Sequence, residues 1–526
     1  MTKHKHILLF ISILYLSLSA CGLHKSKAQE VRVRREYRYQ VNLRQLVQDQ
    51  LLIELETPTI QEEEVVFYIP RIVPGIYGYM DFGDRVSSFV ALNDKGETLP
   101  VQRLDKGRWK ISMAQQLHFL RYRVDDGWEN FNGGFVDGRF RSAESSFTEN
   151  KAFVINHNSL FGYFEGKTQL PFKINIEKPE RFFGATTLPL QQSSEYRDEF
   201  RAPSYRDLVD NPILYAQADT AMLRIGNTQV LVAAYSDAGA KLAGELAGNI
   251  KPLLENQRLY LGGKLPVERY AFLIYHARGN DPGYVGDGLE HATSTLCLMY
   301  SQLDEDLLKD YIYRIASHEF FHIVTPLNIH AEEIEQYNFY QPKLSRHLWL
   351  YEGMTEYATM HMPVKQGLIR IPEFARTISQ KAKEASGYDP ELSLTELSVH
   401  AVDKPDQYYN VYLKGALVNL CLDILLREKS KGKMGAAELM QALSEKYGPN
   451  RPFKDDELFD VIAALSFPEI RDFFRRHVEG HEALPLDKCL EKAGFTYNSD
   501  NHSVKPVKQP SLEQLQVRQW WLGRTD

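Results

Sequence analysis

The stretch that most restricts what this chain can fold into is Ser317-His318-Glu319-Phe320-Phe321-His322, an H-E-x-x-H pattern. It has chemical meaning only on a helix. The residues before it, 307–316, supply one, with apolar residues at Leu308, Ile312 and Ile315. On that helix His318 and His322 stand one turn apart on the same face. Two imidazoles so placed can hold a single zinc ion at about 2.0–2.1 Å each. Glu319, beside the first of them, can take the proton of a water that the metal activates. The pattern also arises by chance, so a third ligand is the discriminating requirement.

A catalytic zinc needs three protein ligands and one open position. The run His347-Leu348-Trp349-Leu350-Tyr351-Glu352-Gly353-Met354-Thr355-Glu356-Tyr357 reads as a second helix carrying a carboxylate inward. Glu352 is the expected third ligand. Glu356, four residues on and on the same face, can orient a ligand histidine from behind. The alternative is two solvated carboxylates on an amphipathic helix. The surrounding Trp349, Tyr351 and Tyr357 argue against it, because unpaired carboxylates are costly in such a setting.

These two blocks together, His318-Glu319-x-x-His322 and Trp349-Leu350-Tyr351-Glu352-Gly353-x-Thr355-x-Tyr357, resemble the gluzincin metallopeptidases, specifically the glycyl aminopeptidase family. Two further blocks fit in order. Gly288-Leu289-Glu290-His291-Ala292-x-Ser294-Thr295 is similar to that family's G-G-L-E-H segment. The resemblance implies that Gly288 and Glu290 bind substrate, with Glu290 on the free amine. Tyr412-Leu413-Lys414-Gly415-Ala416 is similar to the Y-x-K-G segment, whose tyrosine donates a hydrogen bond to the tetrahedral intermediate. The alternative for Tyr412 is a packed aromatic next to Tyr408 and Tyr409. Asp287 stands where the family has a glycine, which either strengthens amine binding or crowds the pocket. Val324-Thr325 replaces a usual Trp-Asn and alters the pocket wall.

With 526 residues, 43% of them hydrophobic, the chain has material for two or three domains with their own cores. Its 62 basic and 69 acidic residues, net −7, give no reason to expect a nucleic-acid partner. Residues 1–21 read as a targeting segment: Lys3 and Lys5, an apolar run from Ile7 to Leu16, then Leu18-Ser19-Ala20-Cys21. That tetrapeptide resembles the bacterial lipobox, which implies lipidation at Cys21. Gly22 stands where an inner-membrane retention signal would place Asp. The expected location is therefore the bacterial cell envelope, lipid-anchored at the outer membrane. A plain secretory signal or an uncleaved anchor are the alternatives, and the apolar run is short for a bilayer span. The other cysteines, Cys297, Cys421 and Cys489, form no disulfide framework; Cys297 and Cys421, in apolar runs, read as buried thiols.

After a polar tether at 22–30, the chain alternates with period two around 37–43, 51–55, 120–124 and 172–176. This predicts an all-β, sandwich-like domain over 31–212. Within it, Ile69-Pro70-Arg71-Ile72-Val73-Pro74-Gly75-x-Tyr77 resembles the family's amino-terminal domain. The segment is assigned no chemistry beyond scaffold and groove wall. A thermolysin-like α+β zinc peptidase domain is expected over 213–495, helical in its C-terminal part. Its Glu290 segment would lie on a strand edge that binds extended substrate. The tail 496–526, about 30 residues, is too short for an ordinary domain such as the PDZ module of many relatives. Gln519 to Leu522 is expected to pack back onto the body.

The expected function is hydrolysis of peptides by one zinc ion held on His318, His322 and Glu352, with Glu319 as general base and Tyr412 at the oxyanion. The resemblance implies removal of small N-terminal residues, Gly or Ala. Three alternatives stay open: a zinc endopeptidase, a zinc hydrolase of another bond such as an ester or epoxide, and a non-catalytic lipoprotein that binds peptides or glycans. Oligomeric state is not legible.

Overall fold

The computed structural model describes residues 33–129, 131, 138–277, 285–300 and 305–525. The expected leader with Cys21, the tether at 22–30 and residues 278–284 lie outside the described residues.

Period-two patterning in the first half becomes strands that bury one face. Tyr37–Asn42 buries Tyr37, Tyr39 and Val41 and turns the residues between them outward. It pairs antiparallel with Gln50–Glu56 and parallel with Phe172–Glu177. These strands form the middle of an eight-stranded sheet. A four-stranded sheet built on Glu64–Tyr68 and Arg108–Ser112 lies across it. Phe67 of the smaller sheet meets Phe89 and Tyr122 of the larger one at ring-centroid distances of 5.6 and 6.1 Å. The two inner faces share one core, as a sandwich requires.

A third sheet, with Ala152–Ile155 and Phe182–Ala185, moves the expected domain boundary. Ile213–Gln217 pairs antiparallel with both of these strands, so the chain returns to the β domain for one strand after residue 212. The boundary expected at residue 212 falls next to a proline, which punctuates loops, but here Pro212 only precedes a strand. Val154 and Leu214 of this sheet pack with Leu273 and Leu298 of the next, which seats the β domain on the second half of the chain.

That next sheet has five strands in the order Thr220–Ile225, Thr228–Ser236, Arg269–Ala277, Ser294–Tyr300 and Gly286–His291. The last runs antiparallel at the edge. Helices Ala243–Tyr260 and Glu305–Phe321 cover one face, burying Ile250, Leu308, Ile312 and Phe320 against Val230, Phe272 and Ile274. Beyond this the chain is helical, with Leu348–Lys365, Ile371–Ala385 and Asn410–Ser430 at its centre. The connection before Leu348–Lys365 docks on the β domain: Tyr337 and Phe339 enter its core, and Arg71 N donates to Phe339 O at 2.9 Å.

The second domain does not close at residue 495. A hairpin, Phe495–Asn498 with Ser503–Pro506, is followed by helix Leu512–Leu522, whose first turn Ser511 caps. Trp521 is fully buried in the helical core, and its Nε1 donates to Tyr357 Oη at 2.8 Å. The segment expected as a tail is thus part of the core, the Trp520-Trp521-Leu522 cluster being apolar enough to need a partner. Among the described residues no helix is long and apolar enough to cross a membrane.

Candidate active site

Helix Glu305–Phe321 carries His318 and Glu319, and His322 follows its last turn, its N–H still bonded to Glu319 O at 3.2 Å. Helix Leu348–Lys365 lies alongside and presents Glu352 and Glu356 from one face. Helix Asn410–Ser430 crosses it at a contact between two glycines. A Cβ on Gly353 would come within 2.6 Å of Gly415 Cα, and one on Gly415 within 2.9 Å of Gly353 Cα. Any larger residue would push the helices apart, so these glycines set Tyr412 and Glu352 side by side around the same cavity.

The histidine tautomers are fixed from behind. His322 Nδ1 lies 3.0 Å from the carbonyl oxygen of Thr325, which can only accept. His318 Nδ1 lies 3.0 Å from Glu356 Oε2, while the other Glu356 oxygen takes the Lys381 ammonium. With both Nδ1 atoms donating, both Nε2 atoms face forward and are the ones that can offer lone pairs to a metal. They are 3.1 Å apart, and each is 3.4 Å from Glu352 Oε2. Ligands on a tetrahedral zinc at about 2.0–2.1 Å would be separated by about 3.3–3.4 Å. Three potential ligand atoms at these distances match one face of such a tetrahedron. The residues present fit a zinc ion.

The charges of the cleft are strongly coupled. Burial pushes His322 down, but Glu352 and Glu290 outweigh it and lift its pKa to about 9. His318 is likewise held above the ordinary range, the nearby Glu352 and Glu356 carboxylates overcoming burial. Burial also acts against the charge of Glu352, and the two imidazoles overcome it, keeping the carboxyl well below the usual range. Burial raises Glu319 in spite of both histidines. Its Oε2 is buried without a hydrogen-bond partner, available to a proton that arrives.

Glu290 and Gly288 lie on the edge strand Gly286–His291, where the strand flanks the cleft. Ligand atoms of Glu290, Glu319 and His322 fall within 4.8 Å of one another. Burial lifts the Glu290 carboxyl to about 8, with Glu352 and Glu319 adding to it. Gly288 is close-packed: a Cβ there would meet Ile315 Cγ2 at 2.7 Å, so the missing side chain lets the strand lie against the motif helix. Asp287, next to it, is buried, and its carboxylate accepts the backbone N–H groups of Arg141 at 2.8 Å and Ser142 at 3.1 Å. Its charge is therefore bonded to the β domain. Tyr412 stacks on Tyr409 at 5.0 Å, with its ring 5.9 Å from that of His318.

These side chains line a cavity of about 520 Å³. The β domain contributes Gly75 and Phe140 to its wall, and Tyr77 donates to Glu352 Oε1 at 2.7 Å. Gly75 lies against the Glu290 carboxylate, where a Cβ would come within 2.6 Å of Oε1, and its φ of +84° is one that glycine adopts freely. None of these three was singled out from the sequence for chemistry. The Pro74-Gly75-x-Tyr77 signal was visible, but no local pattern shows that a loop lies against a site some 275 residues further on.

Two family models match the chain, the peptidase M61 N-terminal domain over residues 38–217 and the M61 glycyl aminopeptidase over residues 312–418. No curated protein matches it. Among solved structures, an aminopeptidase N family protein from Idiomarina loihiensis superposes with a TM-score of 0.74 at 22% identity, over 88% of this chain and 78% of that one. A mutant M1 zinc metallopeptidase from Deinococcus radiodurans, bound to a Tyr-Ser-Ala substrate, gives 0.52 at 14% identity, over 86% and 95%. The same TM-score, at 13% identity and the same coverage, is found for a two-domain M1 zinc metallopeptidase mutant bound to L-tryptophan. At these identities the likeness shows the fold.

Proposed function

Since the chain belongs to the M61 glycyl aminopeptidase family and is a metallopeptidase, we propose that it is a zinc aminopeptidase that removes small N-terminal residues from peptides. The observation that carries this reading is the position of Glu290. Its carboxylate shares the cavity with the zinc-type donor set, within 4.8 Å of the nearest Glu319 and His322 atoms. A substrate ammonium paired there would bring the first peptide bond, and no later one, to the metal.

His318, His322 and Glu352 would hold the zinc, which when bound supplies a Lewis acid that acidifies water towards a pKa of about 7 and polarises a carbonyl. Glu319 takes the water proton on its unpartnered oxygen and returns it to the leaving amine. The Tyr412 hydroxyl donates to the oxygen on which negative charge develops. Glu356 keeps His318 in the tautomer that points Nε2 forward. Gly75 lies against the Glu290 carboxylate, where a larger residue would displace it; the preference for a small first residue is taken from the family resemblance alone. The lipid-anchored, outer-membrane location is proposed from residues 1–21 of the sequence alone.

The test compares Gly- and Ala-leading peptides, free and amino-acetylated, with metal content determined and Glu319→Gln beside the wild type. Cleavage of free peptides alone, falling about 10²–10⁴-fold in Glu319→Gln while zinc is retained, is the expected result. Equal cleavage of acetylated peptides would sink the amine-pairing role of Glu290 and make the enzyme an endopeptidase.

A further inference from the structure

The loop after Pro74 brings a tyrosine from the β domain onto the third metal ligand. Tyr77 is 5% exposed, its ring packs against Tyr408 at 5.8 Å, and its hydroxyl donates to Glu352 Oε1 at 2.7 Å. The loop is itself pinned. Met80 N and Asp81 N both donate to Arg71 O, and Arg71 N donates across the domain interface to Phe339 O. The two oxygens of Glu352 therefore differ. Oε1 has a donor; Oε2 is buried without one and lies 3.4 Å from each histidine Nε2.

We propose that Tyr77 is a positioning residue of the metal centre, which by occupying Oε1 makes Glu352 a ligand through Oε2 alone. The inference rests on the zinc reading above and deepens it. A carboxylate free at both oxygens can take two coordination positions, and a catalytic zinc keeps its fourth position for water or substrate. A hydrogen bond to one oxygen holds the carboxylate plane and leaves a single donor aimed at the ion. Because that hydrogen bond comes from the other domain, the metal site is complete only when the β domain is docked.

The experiment uses the full chain with Tyr77→Phe, which keeps the ring against Tyr408 and removes only the donor. Zinc affinity is measured by competition with a chelator, and coordination by the visible spectrum of the cobalt-substituted protein. Folding is monitored by circular dichroism and by the melting temperature of the metal-free form. The expected result is zinc affinity about 10–100-fold weaker, with a cobalt spectrum moving from the intense bands of four-coordination to the weaker ones of five. A merely structural role would lower the melting temperature and leave the cobalt spectrum unchanged. Wild-type affinity and an unchanged spectrum in Tyr77→Phe would overturn the proposal. X-ray absorption of the zinc-loaded wild type supplies a second criterion that needs no variant: a bidentate carboxylate there would overturn it too. A wild-type chain that takes up no zinc at all would instead overturn the metal reading, and this inference with it.

Discussion

At the scale of single residues, the cleft is made of groups whose charge states are set by neighbours rather than by their own chemistry. His318 and His322 present Nε2 because acceptors stand behind each ring. The same principle operates away from the metal. Glu144, two per cent exposed, has one oxygen buried without a hydrogen-bond partner and the other 4.0 Å from Arg85. Burial pushes its carboxyl up to about 8. In the pH range between the ordinary carboxyl value and about 8 the folded chain holds this proton and the unfolded chain does not. Stability then falls as pH rises through that window. Glu144→Gln, which keeps the shape and cannot ionise, is expected to flatten the slope between about pH 4.5 and 8, read from denaturant midpoints across that range. An unchanged slope would mean that Glu144 is ionised in the native state. Such a residue was not legible in the sequence, where it is one acidic residue among 69. His318, Glu319, His322 and Glu352 stood out in the sequence as candidates, the histidines because a metal site on a helix asks for a spacing of four and Glu352 because a carboxylate sits in an aromatic-rich helix.

At the scale of elements, what matters is how closely backbones approach. Gly353 and Gly415 each sit in a segment that the sequence marked by family resemblance, and the structure supplies a reason: the two helices touch there. Gly353→Ala puts a methyl group 2.6 Å from the partner backbone. It should destabilise the fold by about 1–3 kcal/mol and weaken zinc binding as well, since Glu352 is the adjacent residue. Chemical denaturation and chelator competition read the two effects separately; a variant as stable as wild type would show that the helices separate without cost. The helical character of the second half's C-terminal part was expected, and Asn410–Ser430 and Ala436–Lys446 are among its helices. Strand existence followed from alternation. Which strands pair was not available: Tyr37–Asn42 runs parallel to a partner some 135 residues away, and no local pattern encodes that register.

At the scale of the whole molecule, the β domain and the last described helix both reach the helices that carry the candidate site. The β domain reaches in with Tyr77, and the C-terminal helix reaches in with Trp521. Tyr357 on the Glu352 helix donates to Asp423 and accepts from Trp521 Nε1, while His361 Nε2 lies 3.0 Å from the Trp521 carbonyl oxygen. Trp521→Ala removes a fully buried side chain and leaves Tyr357 short of a donor. A loss of about 3–5 kcal/mol is expected, read as a lower urea midpoint of the metal-free protein. A change within about 0.5 kcal/mol, the range of ordinary surface substitutions, would mean that the last helix is detachable.

The division between what the chain's letters settle and what folding adds follows these scales. Local spacing by itself determined the zinc-type motif, the carboxylate helix, the β-then-helical order of the halves and the apolar Trp520-Trp521-Leu522 cluster, because each depends on residues within a few turns or one strand. The tertiary structure alone decided that Ile213–Gln217 belongs with the first half, that Asp287 binds backbone of the β domain, and that Tyr77 touches Glu352. These are contacts between segments over 140 residues apart, or a strand's choice among several partners. Their energy comes from burial and hydrogen bonding that exist only once the sheets and helices have packed.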